Sequence, residues 1–138
     1  MRPEWLRQLP YLVHTNRELG LMLKGVKPLA CFWIAIGKEP DCLIRYIRMF
    51  DRHANAGRFV RRAVDEPLRD LPELMGRKLF YALPGQEWRI EAMLSLLELR
   101  GPWTQDRERR QGELLGYEDW QNDLWLAGRG GRFPAAAR

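Results

Sequence analysis

The sequence predicts a small α+β protein in which about three strands form a mainly antiparallel sheet packed with four to five helices. First, residues 29–36 form a short apolar run rich in aromatic and β-branched residues, which is typical of a buried strand. Second, apolar residues recur at helical spacing in residues 90–97. Third, the strand and helix patterns do not alternate as repeating βαβ units do, so the mixture favours the α+β class.

The length and composition predict one globular domain. The chain has 138 residues, of which 46% are hydrophobic and 30% are charged, and these are ordinary values for a folded protein. We expect a single α+β domain over residues 1–127. Residues 128–138 combine Arg, Gly and Pro without an acidic residue, so we expect a disordered Arg/Gly-rich tail there.

The first residues and the cysteines favour a cytoplasmic protein. The opening segment carries charge and two prolines, Pro3 and Pro10, through its first ten residues and lacks the continuous apolar core of a signal peptide. No apolar run approaches the ~20 residues that a membrane span needs. Cys31 and Cys42 are expected to be reduced thiols, and Cys31 should react more slowly because it lies in an apolar strand.

Three elements are predicted in the N-terminal half. Thr15 and Glu18 have the spacing of a capping box, which predicts a helix that ends at Gly25, with an extended segment as the alternative. Residues 29–36 are apolar on both faces, which predicts a strand in the centre of its sheet. Asp41 is expected to cap the next helix. Its inward residues are Leu43, Ile44, Ile47 and Phe50, and its water-facing arginines are Arg45, Arg48 and Arg52.

The C-terminal half adds two strands and a group of helices. Residues 58–67 alternate weakly and predict an edge strand, whereas residues 78–83 predict a second strand after a short helical turn. The clearest helical pattern covers residues 86–100. Thr104 then caps the first helix of a C-terminal helical hairpin, which Gly116 interrupts.

The sequence lacks the motifs of most catalytic and cofactor sites. It contains no glycine-rich phosphate loop, and its one serine, Ser95, lies in an amphipathic helix instead of a strained turn. His14, Cys31, Cys42 and His53 do not have the paired spacing of zinc ligands. We therefore expect no cofactor, no metal and no catalytic residue. A small hydrolase or nuclease that uses one histidine with a carboxylate is the enzymatic alternative.

The basic residues suggest a surface for nucleic acid. The net charge is +5, and 19 of the 23 basic residues are arginine. This bias suits phosphate recognition, although a GC-rich coding genome produces it too. The basic tail would add nonspecific attraction to phosphate. If the two later strands pair, five residues could line one surface: Arg58, Arg61, Arg62, Arg77 and Lys78.

The aromatic segment GELLGYEDWQNDLWL, residues 112–126, allows two interpretations. On a helix, Tyr117, Trp120 and Leu124 share one face and Trp125 lies at its margin, which predicts an amphipathic element that closes the core. The alternative is a groove that binds a partner. That groove would be formed by four tryptophans: Trp88, Trp103, Trp120 and Trp125.

Because the sequence lacks catalytic, cofactor and metal motifs, we predict a protein that binds a partner without catalysing a reaction. We expect a small cytosolic protein that acts through protein–protein contacts, in an accessory or regulatory role typical of a bacterial protein. The first alternative is a nucleic-acid-binding protein that uses the arginine-rich strands and the basic tail. The predicted partner is another protein, with nucleic acid or a second copy of the chain as alternatives, and no membrane association is expected.

Overall fold

The structure is a computed structural model that describes residues 4–129, and it has the predicted α+β class. The predicted disordered tail lies outside the described residues, except that the last helix includes Gly128 and Arg129. The elements in chain order are α1 (Glu4–Arg7), α2 (Glu18–Leu23), β1 (Leu29–Ala35), α3 (Asp41–Asn55), β2 (Val60–Pro67), β3 (Met75–Ala82), α4 (Trp88–Glu98), α5 (Gln105–Leu114) and α6 (Asp119–Arg129).

The described chain divides into two compact units. The sheet unit comprises residues 28–90, and the helical unit comprises the described residues on either side, 4–27 and 91–129. The boundary between the units falls inside α4, directly after Ile90. The predicted apolar stripe of this helix is buried at Ile90, Met93 and Leu94. Within residues 4–129, none of the helices is both long and apolar enough to cross a membrane.

The sheet has the strand order β1-β3-β2, and both neighbouring pairs are antiparallel. Strands β1 and β2 therefore run parallel to each other, joined by α3, while β3 lies between them as in a split βαβ unit. The prediction that residues 29–36 form the central strand was wrong, since β1 is an edge strand. The prediction of an edge strand for β2 is confirmed. Strand β3 begins at Met75, where a short helical turn was expected.

Strand β1 resembles a central strand in sequence because its first residues are buried on both faces. Leu29 and Ala30 are adjacent and point to opposite faces, yet each is fully buried. On the α3 side, the ring of Phe32 contacts Phe50 at a centroid distance of 5.2 Å. Burial on two faces gives an edge strand the same apolar pattern as a central strand, so periodicity alone cannot separate the two positions.

Aromatic residues form the core between α3 and the sheet. Phe50 is fully buried and lies 4.7 Å from Tyr81 and 5.6 Å from Phe59, measured between ring centroids. Phe32 and Tyr46 extend this cluster with edge-to-face contacts. Such pairs each contribute about 0.5–1.5 kcal/mol beyond the area that they bury. The cluster therefore fixes the orientation of α3 on the sheet.

The helical unit corrects one helix cap and confirms another. Helix α2 begins at Glu18 without a side-chain cap, so the capping box predicted from Thr15 was wrong. Asn16 has a φ of 68°, in the left-handed region, and the Arg17 amide donates to the His14 carbonyl at 2.8 Å in a tight turn. In contrast, Thr104 Oγ1 accepts from the Arg107 amide at 3.3 Å and caps α5 as predicted.

The tryptophan that closes the core of the helical unit is Trp125. Trp125 is only 6% exposed, whereas Trp120 is 46% exposed, so the predicted burial of Trp120 was wrong. The predicted face used Tyr117 as a helical residue, but α6 begins at Asp119, and this changes which side chains share the buried face. Trp125 packs edge-to-face against Trp5 of α1 at 5.2 Å.

A buried polar cluster joins the segments on either side of α2 to the turn between α5 and α6. Lys27 is 2% exposed, and its Nζ lies 2.8 Å from His14 Nδ1 and donates to the Leu115 carbonyl at 2.7 Å. The His14 ring stacks on Tyr117 at 3.8 Å, and the His14 amide donates to the Tyr117 hydroxyl at 2.8 Å. This cluster connects the two segments through polar contacts inside the core of the helical unit.

Candidate nucleic-acid interface

The five basic residues predicted as a nucleic-acid surface do not share one face of the sheet. Strands β2 and β3 do pair, as the prediction required. Successive residues of a strand point to opposite faces, and the ion pair between Arg61 and Asp51 of α3 identifies the α3 side. Arg77 lies on that side as well, whereas Arg62 and Lys78 lie on the opposite side. Arg58 precedes β2.

Most of these strand cations are paired with acidic neighbours. Arg77 forms a two-point contact with Asp65, through Nε at 2.7 Å and through a second guanidinium nitrogen at 2.9 Å. This hydrogen bond holds the pKa of Asp65 below its usual value and raises the pKa of Arg77. Lys78 Nζ lies 2.7 Å from a carboxylate oxygen of Glu66. The paired strands therefore present little unneutralised positive charge.

Helix α3 carries basic groups that have no such neutralisation. Arg45, Arg48 and Arg52 are exposed, and among the described residues none of them forms an ion pair. Their spacing of three and four residues places them within about 60° around the helix axis and over about 10 Å along it. We call these three residues the α3 arginine stripe. The sequence pattern had already indicated that they face water.

Two acidic residues of α3 are close to the stripe in sequence, but neither forms an ion pair with it in the structure. Asp51 faces the sheet, where its Oδ1 accepts from Arg61 Nε at 3.0 Å and from the Tyr81 hydroxyl at 2.6 Å. Burial, and then this hydrogen bond to the carboxylate, raise the pKa of Tyr81 above its ordinary value. Asp41 lies one turn before Arg45 without an ion pair to it among the described residues.

The charge distribution separates the two units. Residues 28–90 contain eleven basic and eight acidic residues, for a net charge of +3. The described part of the helical unit contains nine basic and ten acidic residues, for a net charge of −1. The sheet unit is therefore the basic part of the described chain, and the α3 arginine stripe is its most concentrated patch of unpaired charge.

The four tryptophans predicted to bind a partner are distributed over both units. Trp88 belongs to the sheet unit and is 50% exposed, with the Arg89 guanidinium 4.7 Å above its ring. Trp103, Trp120 and Trp125 belong to the helical unit, in which Trp125 is buried and Trp103 is partly buried. Trp120 and Trp88 thus remain the exposed members of the predicted set.

The two histidines and two cysteines are divided between the units, with His14 in the helical unit and Cys31, Cys42 and His53 in the sheet unit. His14 is 8% exposed, with Nδ1 2.8 Å from a lysine Nζ, and Nδ1 of His53 lies 3.3 Å from a guanidinium nitrogen. Cys31 is partly buried and Cys42 is exposed, which is the order that the predicted reactivities require. Among residues 4–129, no group of three or more His, Cys, Asp and Glu side chains is arranged to hold a metal ion.

Comparison with known proteins adds no functional assignment. No protein-family model matches the chain, and no curated protein or solved structure is significantly similar to it. The candidate interface therefore depends on the geometry and charge of the described residues.

Proposed function

We propose that this chain is a non-catalytic nucleic-acid-binding protein that contacts the phosphate backbone through the α3 arginine stripe. The observation that carries the proposal is the set of three exposed guanidinium groups on one helix face without an acidic partner among the described residues. Arginine presents a planar fork of donors that matches the oxygens of a phosphate. A continuous run of phosphates supplies the negative charge that this face lacks.

The energetics of the stripe also favour a polyanion. Arg45 and Arg48 are three residues apart, and Arg48 and Arg52 are four residues apart, so each pair repels. Like charges at these spacings destabilise a helix by about 0.2–0.5 kcal/mol per pair. The mutual repulsion of the three charges therefore opposes folding, and binding of phosphates would remove this repulsion. We expect the contact to be independent of sequence, because phosphate contacts carry no base information.

The salt dependence of binding tests the proposal. Fluorescence anisotropy with a labelled duplex should give an affinity that falls steeply from ~50 mM salt upward, because binding releases condensed counterions. The triple variant Arg45→Gln, Arg48→Gln, Arg52→Gln should bind at least tenfold more weakly at low salt. Its slope of log K against log salt should be lower by up to about 2.7, which corresponds to three lost phosphate contacts.

A matched control separates the stripe from net charge. Arg7, Arg17 and Arg110 are exposed residues of the helical unit, and their replacement by Gln removes the same total charge. The control triple variant should retain most of the affinity and nearly the whole salt slope. Equal losses in the two triple variants would contradict a role for the stripe, and absence of binding by the wild type at ~50 mM salt would contradict nucleic-acid binding altogether.

A second candidate function, binding of another protein, is favoured by the exposed face of α6. Trp120 and Leu124 are four residues apart and are 46% and 38% exposed. Trp120 is held in place by a hydrogen bond from its Nε1 to Glu118 at 2.6 Å and by an edge-to-face contact with Tyr11 at 5.4 Å. An oriented, exposed tryptophan is typical of protein interfaces. Loss of a co-purifying protein on Trp120→Ala, without a change in folding, would support this candidate.

A further inference from the structure

The face of the sheet opposite α3 contains an open pocket that the proposed function does not use. Its volume is about 660 Å³, which is within the range of small-molecule sites. All of its lining residues belong to the sheet unit: Trp33, Ile34, Ala35, Glu66, Pro67, Leu68, Arg69, Gly76, Arg77 and Lys78. Five of these residues, Trp33, Ala35, Glu66, Gly76 and Lys78, belong to the face opposite α3, so the pocket opens on the opposite side of the sheet from the α3 arginine stripe.

Strand register explains why a depression forms here. Gly76 of β3 lies between Ala35 of β1 and Glu66 of β2, so two of the three residues in this row have little or no side chain. In the neighbouring row on the same face, Trp33 lies beside Lys78. The small row forms the floor of the pocket, and the larger side chains around it form the walls.

Glycine at this position of the floor leaves room for a neighbouring side chain. The side chain of Leu68, which follows β2, lies directly over Gly76, and a Cβ added to Gly76 would be 2.5 Å from Leu68 Cδ2. Such a distance is too short for two carbon atoms. Leu68 thereby contributes an apolar side chain to the lining of the pocket, which also includes Trp33.

The side chains around the pocket are chemically complementary to the parts of a nucleotide. Trp33 is 43% exposed and its ring is braced edge-to-face by Phe80 at 6.0 Å, so a fixed indole is available for stacking. Lys78 and Glu66 are held 2.7 Å apart and place a donor beside an acceptor. Arg69 is exposed and forms no ion pair among residues 4–129. These are groups that bind a planar base, its polar edge and a phosphate.

We propose that this pocket binds a single nucleotide, either free or as one unit of a single strand. The base stacks on Trp33, because every base offers a flat π surface to an aromatic ring. Each base edge presents donors beside acceptors, which the Lys78–Glu66 pair complements without selecting one base. The guanidinium of Arg69 binds the phosphate. The site is independent of the proposed function, since it shares no residue with the α3 arginine stripe.

Titration of the full chain with AMP, followed by amide chemical shifts, tests the site. Saturable binding with a Kd at or below ~1 mM is expected. Trp33→Ala should weaken it by about 5–150-fold, the range that stacking of one base on an aromatic ring provides. Trp88→Ala is the matched control, because Trp88 is a similarly exposed tryptophan of the same unit that does not line the pocket. It should bind AMP like the wild type.

A second variant keeps the test informative if Trp33→Ala is poorly folded. Arg69→Gln should weaken AMP but leave the weaker binding of adenosine unchanged, since adenosine has no phosphate. In the triple variant Arg45→Gln, Arg48→Gln, Arg52→Gln, which lacks the stripe, an oligonucleotide of a few residues that binds more tightly than AMP would identify a single strand as the source of the nucleotide, whereas equal affinity would identify a free nucleotide.

Three results would overturn the nucleotide site. One is the absence of saturable AMP binding by the wild type up to ~1 mM. Another is an equal effect of Trp33→Ala and Trp88→Ala, and the third is binding of inorganic phosphate as tight as that of AMP. Because the stripe variants and the pocket variants share no residue, failure of either proposal leaves the other to be judged by its own data.

Discussion

Replacement of Trp125 tests which tryptophan completes the core of the helical unit. A buried tryptophan removes roughly 150–250 Å² from water, which at about 25 cal/mol/Å² corresponds to ~4–6 kcal/mol. Trp125 is 6% exposed, so nearly all of this area is involved. Alanine retains a small part of it, and we expect Trp125→Ala to lower the free energy of unfolding by about 3–5 kcal/mol.

Thermal unfolding followed by circular dichroism measures this effect. A chain of this size loses roughly 4 °C of Tm per kcal/mol, so Trp125→Ala should melt about 12–20 °C lower than the wild type. Trp120→Ala is the matched control because Trp120 is 46% exposed on the same helix, and it should cost about 1–2 kcal/mol. Trp125→Phe should recover at least half of the loss. If Trp120→Ala melted at or below Trp125→Ala, the assignment of the buried face of α6 would be refuted.

The remaining predictions concern a cap, a glycine and an ion pair. Thr104→Ala should lower the free energy of unfolding, measured by chemical denaturation, by about 1 kcal/mol, because it removes the cap of α5. Thr15→Ala removes no cap and should leave the stability nearly unchanged, so equal effects of the two variants would contradict the observed caps. Gly128→Ala should lower the Tm because its Cβ would lie 2.5 Å from the tryptophan ring of α1, and an unchanged Tm would contradict that packing. Arg77→Met should raise the pKa of Asp65 towards its ordinary 3.8, as read from its carboxyl ¹³C shift. Since the pKa of Asp65 is lowered in the folded protein, the ion pair stabilises the fold at pH values above the ordinary pKa, and this stabilisation is lost as the pH falls through the pKa of the folded protein. A pKa of Asp65 that does not change in the variant would exclude Arg77 as the cause of its lowering.

Much of the fold was predictable because local patterns determine it. The apolar stripe of α4, the cap at Thr104 and the three strands were all identified from spacing alone. The errors occurred where a non-local contact or an unusual backbone angle decides the outcome. The central position of β3 depends on pairing across the chain, and the left-handed Asn16 prevents the capping box that its neighbours suggest.

The candidate sites were predictable only in part, for the same reason. Residue type and helical spacing placed the α3 arginines on a water-facing surface, but the sequence could not indicate which cations are paired. The register that places Asp65 beside Arg77 and Glu66 beside Lys78 is a tertiary property. The exposure of Trp33 was missed because it lies in an apolar run, where only the pairing with β3 reveals which face it occupies.

The division of the chain into two units has a consequence for the order of folding. The sheet unit is one continuous segment, residues 28–90, whereas the helical unit is assembled from segments on both sides of it. The bond from Lys27 Nζ to the Leu115 carbonyl, for example, joins residues 88 positions apart. During synthesis all of the sheet unit emerges from the ribosome before α5 does, and a ribosome adds residues at only about 5–20 per second. The strands therefore have seconds in which to pair before Leu115, the partner of the Lys27 amine, becomes available to the N-terminal segment.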